Sequence, residues 1–137
     1  MLVSFLILKV CRDGSCKPGG SYGTAAITIE RAHVPVHDND SKSDTFVELY
    51  VDESLIGVTL VVADTHEPVF NTDFVVEDIK DDTTISLVLQ EWDDSHEDDL
   101  IGAVSFNVRD IADMNMTGKH MKKKFRGGWI QVIISVI

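Results

Sequence analysis

From Ala25 onward the chain alternates short apolar runs with clusters of turn residues, and the runs are rich in Val, Ile, Thr and Phe. Side chains two apart lie on one face of a strand, so such runs read as strands with one face buried. The pattern predicts strands near 25–32, 45–52, 56–63, 72–77, 84–91, 101–107 and 128–137, a spacing typical of a β-sandwich. The run from Trp129 to Ile137 is strongly β and closes the domain. Helical signal is confined to Val108–Met114, where an acid near the start and a short apolar spacing allow one or two turns before Gly118.

The first ten residues, Met1-Leu2-Val3-Ser4-Phe5-Leu6-Ile7-Leu8-Lys9-Val10, are apolar but far short of the about 20 that a spanning helix needs. They carry no basic leader and no small-residue cleavage signal before Cys11, so they read better as an extra strand than as a secretory signal, a secretory remnant and hence a secreted protein being the minority reading. An extra apolar strand must pair, either with an edge of its own sheet or by exchange with a second copy. Residues 11–23 are a turn-rich, Gly-containing connector. Cys11 and Cys16 within it either close a small disulfide loop or remain free thiols. The expected organisation is an extra strand and connector over 1–24, and one folded domain over 25–137.

Composition fits a single globular unit, at 44% hydrophobic and 26% charged residues in 137. The net charge of −11 argues against nucleic acid as a partner, because phosphate contacts are made by Lys and Arg. The acid is concentrated in two stretches. One runs from Asp38 to Asp44 and leads into a strand; the other runs from Glu91 to Asp99 and leaves one. Asp38 and Asp44 are six apart, as are Asp93 and Asp99. Carboxylates packed this densely repel one another unless a hard cation neutralises them, and calcium or magnesium is the natural neutraliser for oxygen ligands.

At this point the chain resembles a known family, the calcium-dependent phospholipid-binding C2 domains. The first acidic loop matches the family's in Asp38 and in Asp44-Thr45-Phe46-Val47, and the second in Glu91-Trp92-Asp93 followed by Asp99-Leu100-Ile101-Gly102. Between them, Pro68-Val69-Phe70-Asn71-Thr72-Asp73-Phe74 is similar to the family's mid-domain segment, and Ile27-Thr28-Ile29-Glu30-Arg31-Ala32 to its opening strand. The resemblance covers roughly residues 25–137. Glu91 stands where the family usually has aspartate, Thr45 where it has proline and Phe46 where it has tyrosine.

The resemblance implies an all-β, eight-stranded antiparallel sandwich in the permuted topology whose last strand is C-terminal. It implies calcium as the cofactor, held by Asp38, Asp44, Glu91, Asp93 and Asp99, with the backbone carbonyls of His37 and Trp92 assisting. The expected partner is an anionic phospholipid membrane, reached from the cytoplasm as a peripheral attachment. Ions in the acidic loops would reverse their repulsion from such a surface. The tips Asn39–Lys42 and Asp94–Glu97 carry no large apolar residue, so attachment is expected to be shallow and salt-sensitive. Lys119, Lys122, Lys123, Lys124 and Arg126 form a basic run that either meets the anionic surface or is a solvated loop guarding a sheet edge. Phe46, Phe70, Phe74 and Phe106 are expected in the core. No nucleophile elbow and no paired nucleophile and histidine is present, so no enzyme is expected. A protein-interaction or self-associating domain stabilised by calcium is the alternative.

Overall fold

The computed structural model describes residues 21–35, 43–93 and 97–137. The strand expected in 1–24, the Cys11 and Cys16 pair, His37, Asp38 and the loop-tip residues 39–42 and 94–96 lie outside the described residues. Described are β1 (Ser21–His33), β2 (Thr45–Val51), β3 (Ser54–Val58), β4 (Val69–Lys80), β5 (Thr84–Glu91), β6 (Asp99–Asn107), a short helix α1 (Val108–Asp113), β7 (His120–Phe125) and β8 (Gly128–Val136). They form two four-stranded antiparallel sheets, one ordered β4-β1-β8-β7 and the other β3-β2-β5-β6. The last strand is C-terminal and inserts beside β1, as the resemblance implies.

Alternation makes the core. Ile85, Leu87 and Leu89 of β5 face Ile130, Val132 and Ile134 of β8 and Ile27 and Ile29 of β1, all with at most 1% exposure. Burying each such side chain contributes about 1.5–3 kcal/mol. A bulge between Ile29 and Arg31, seen in the pairings with both β4 and β8, turns Arg31 outward and returns Ala32 to the interior. Phe46 and Phe106 are buried as expected, whereas Phe70 and Phe74 are only half-buried against the core.

Two departures from the pattern have physical causes. The basic run is a strand, not a loop: among the described residues β7 is one of the two edges of the first sheet, and its Met121 and Phe125 pack inward between exposed lysines. Lysine has low strand propensity but suits an exposed edge, where it discourages pairing with other chains. β3 ends at Val58, yet the chain continues beside β2: the Thr59 and Val62 amides donate to the carbonyls of Val47 and Thr45. The β2–β3 hairpin turns through Asp52 and Glu53, both at positive φ (47° and 73°), which matches the twist of the strands it joins. α1 is capped by the Asn107 side chain, which accepts from the Arg109 amide, and buries Val108 and Ile111.

The register places the ends of β1, β3, β5 and β7 and the starts of β2, β4, β6 and β8 at one end of the sandwich. The β2–β3 and β4–β5 turns and α1 occupy the other.

Candidate functional site at the acidic end

Strand register assembles the acidic end. Thr45 of β2 is opposite Glu91 of β5, and Glu91 is opposite Asp99 of β6, so one row across the second sheet carries both acidic stretches to the same edge. Asp44 immediately precedes this row and Asp93 follows it by two residues. The Asp44 carbonyl accepts from the Trp92 amide at 2.7 Å, tying the first loop to the second. Asp98 accepts the Asp93 amide at 3.0 Å through its carboxylate and so shapes the loop it closes. Asp44, Glu91 and Asp93 are half-buried and Asp99 is exposed.

Of the seven expected ligand residues, Asp44, Glu91, Trp92, Asp93 and Asp99 lie at the same end of the second sheet. Asp38 and His37 lie outside the described residues. Among the described residues no three of His, Cys, Asp or Glu stand close enough to hold a metal ion. The donor chemistry nevertheless fits calcium: carboxylates and backbone carbonyls, with no thiolate. Ser43 and Thr45, which flank Asp44 in the chain, bury hydroxyl oxygens without a hydrogen-bond partner. The environment beneath the acids is therefore oxygen-rich and incompletely satisfied.

A third segment joins this end that the sequence pattern did not reveal. The chain after β3 runs along Thr45, and the Asp64 amide, from a residue at φ 58°, donates to the Asp44 carboxylate at 2.7 Å. Thr65 donates to the Ser43 carbonyl. The segment carries Leu60, 87% exposed, and the exposed Val61. Trp92 and Leu100 are exposed at the same end. Reading 56–63 as one regular strand concealed Leu60. Its signal was the break that follows, Ala63-Asp64, where Asp64 takes a left-handed conformation.

The basic strand climbs towards this end. β7 pairs with β8 from His120↔Ile133 to Phe125↔Gly128, and Trp129 pairs with His33, the last residue of β1 before the first acidic loop. Lys124 and Arg126 therefore stand at the same end of the sandwich as Asp44 and Asp93, while Lys119 lies near the other end. Cross-strand neighbours share a face, so Lys122, Lys124, Arg31 and Trp129 form one patch on the outer side of the first sheet. Lys122 Nζ is 4.0 Å from the Trp129 ring centroid and the Arg31 guanidinium carbon 5.3 Å. The His33 ring stacks on Trp129 with centroids 6.3 Å apart and bonds the Glu67 carboxylate. Lys123 points the other way, over Phe106. His120 pairs with Glu30 at 2.8 Å. Burial pushes the Glu30 carboxyl up, but hydrogen bonds from His120 and Gln131 and the charges of His120 and Arg31 outweigh it, and it titrates below the usual carboxylate range. No helix among the described residues is long and apolar enough to cross a membrane.

The sequence matches the C2 domain family over residues 23–126. No curated protein sequence matches. Among solved structures, a C2 domain of plant Extended Synaptotagmin 1 superposes with a TM-score of 0.71 at 15% identity, over 85% of this chain and 97% of that one. The calcium-bound pair of C2 domains from Extended-Synaptotagmin 2 gives 0.71 at 13% identity, over 85% of this chain and 46% of that one. Human GIVD cytosolic phospholipase A2 gives 0.69 at 20% identity over 87% of this chain, which spans only 17% of the phospholipase. At these identities the likeness is one of fold.

Proposed function

The chain belongs to the C2 domain family, and from that premise we propose that it is a binding module, not an enzyme, that attaches peripherally to anionic phospholipid membranes when calcium occupies its acidic end. The observation that supports the reading is the row Thr45–Glu91–Asp99 together with the Asp44–Trp92 hydrogen bond, which sets Asp44 of the first acidic stretch beside the strand ends that carry Glu91 and Asp99 of the second. On this reading Asp44, Glu91, Asp93 and Asp99, together with Asp38, hold the ion, and the carbonyls of His37 and Trp92 complete its protein side. Bound calcium supplies positive charge and coordination positions that lipid phosphate or carboxylate oxygens can complete. The protein's own residues do the rest. The Asp44–Trp92 and Asp93–Asp98 hydrogen bonds hold the loops in register. Lys122, Lys124 and Arg126 meet anionic headgroups from the flank, each contributing about 1 kcal/mol near such a surface. Leu60 and Trp92 add apolar contact, which makes attachment less purely electrostatic than the polar loop tips alone imply.

The test is co-sedimentation with anionic vesicles across a calcium titration, with chelator and neutral-lipid controls. Binding should require both calcium and anionic lipid, and Asp93→Asn should abolish it at calcium concentrations that saturate the unmodified protein. Equal binding in chelator, or an Asp93→Asn variant that binds normally, contradicts the proposal.

A second reading, self-association, is favoured by one specific observation. Among the described residues β3 is a sheet edge whose Leu55, Ile56 and Val58 are all exposed, and no charged residue occurs from Ser54 to Val62. Such an edge is suited to pairing with a second copy.

A further inference from the structure

Away from the acidic end, a groove opens between β6 and β7, the adjacent edges of the two sheets among the described residues, and α1 forms part of its wall. It is a half-open groove of about 490 Å³, a size common for small-molecule sites. Its apolar lining is Phe106, Ile111, Met114, Met116 and Met121. Three methionines in one groove are notable because the thioether chain is flexible and polarisable, and fills against ligands of variable shape. Met114 is 69% exposed, a poor position for a side chain with no role beyond packing.

The groove also holds a cation. Lys123 leaves the edge strand inward, and its ammonium lies over the Phe106 ring, 5.3 Å from the centroid. Among the described residues no carboxylate forms an ion pair with it, although the protein carries a net charge of −11. The neighbouring His120 is paired with Glu30, and Lys122 leaves the opposite, outer face of the sheet over Trp129. Asp110 also lines the groove, which disfavours an anion near the helix and directs one to the β7 side.

We propose that this groove binds a single-chain amphiphile with an anionic head, a fatty-acid carboxylate or an alkyl phosphate. The chain lies along Met114, Met116 and Met121 over Phe106, and the head pairs with Lys123 in a charge-assisted hydrogen bond. The site is lined by the C-terminal end of β6, the opposite end of that strand from Asp99, so occupancy does not depend on calcium.

The experiment uses the full chain with ¹³C-labelled methionine methyls, in chelator, titrated with dodecanoate and with dodecyl phosphate below their micelle concentrations. Dodecanol and dodecyltrimethylammonium are run in parallel. Saturable shifts of the Met114, Met116 and Met121 methyls with both anions, at least about tenfold tighter than with the neutral or cationic chain, are expected. Lys123→Glu should weaken anion binding by about tenfold or more, and Lys123→Arg should retain it. Lys123 is exposed, so both variants are expected to fold, and a thermal melt of each checks this. Equal shifts with all four amphiphiles, no saturable shift at the three methyls, or unchanged affinity in Lys123→Glu would each overturn the proposal. Because calcium is absent throughout, none of these outcomes bears on calcium-dependent membrane attachment.

Discussion

Gly102 closes the second acidic stretch, and its lack of a side chain is a packing requirement. A Cβ there would sit 2.4 Å from the Phe125 ring, pressing the free edge of one sheet away from the other. Gly102→Ala should therefore destabilise the fold by about 1–3 kcal/mol, read as a lowered midpoint in urea. A second residue, Glu30, ties stability to pH. Its carboxyl titrates below the ordinary value of 4.5, so the folded state favours its ionised form. The stability it contributes is present above about pH 4.5 and is lost as pH falls through the depressed folded value. Glu30→Gln should lower the melting temperature at about pH 6, and the difference from the unmodified protein should shrink in strong acid. A difference that stayed constant with pH would assign Glu30 a purely steric role.

Among the elements, the sheet edges are guarded unequally. β7 presents Lys122, Lys123 and Lys124, and β4 carries Asp73, Glu77, Asp78 and Lys80. β3 presents none. Its continuation past Val58 brings Leu60 beside the acidic loops, so one uncharged strand serves two surfaces that substitution can separate. Ile56→Lys should abolish any concentration-dependent association in sedimentation velocity while leaving vesicle binding intact. Leu60→Ser should do the reverse, weakening calcium-dependent vesicle binding and making the remainder more sensitive to salt. If Ile56→Lys and Leu60→Ser acted alike, the edge and the loop would be one surface.

Across the whole molecule, the period-two pattern was enough to read the central strands, because Ile85, Leu87 and Leu89 or Ile130, Val132 and Ile134 have one face that must be buried. The two acidic stretches were legible for a similar reason: their matched spacing is local in sequence. What escaped local reading was decided by contacts between distant residues. β7 is held by pairing with β8 and by Phe125 against Gly102, neither visible in a lysine-rich run. His33 and His120, which have no evident partner in the sequence, find Glu67 and Glu30 only through the fold. Asp64 joins the acidic end through a hydrogen bond to Asp44, twenty residues away in sequence.

The central claim is that these segments make one calcium site, and a calcium titration followed by amide ¹H–¹⁵N NMR tests it most directly. The amides of Asp44, Asp64, Trp92, Asp93 and Asp99 should move together along one saturable course, with Asp99→Asn reducing the response at all of them. Shifts scattered over the acidic surface without saturation, or confined to one loop, would contradict it.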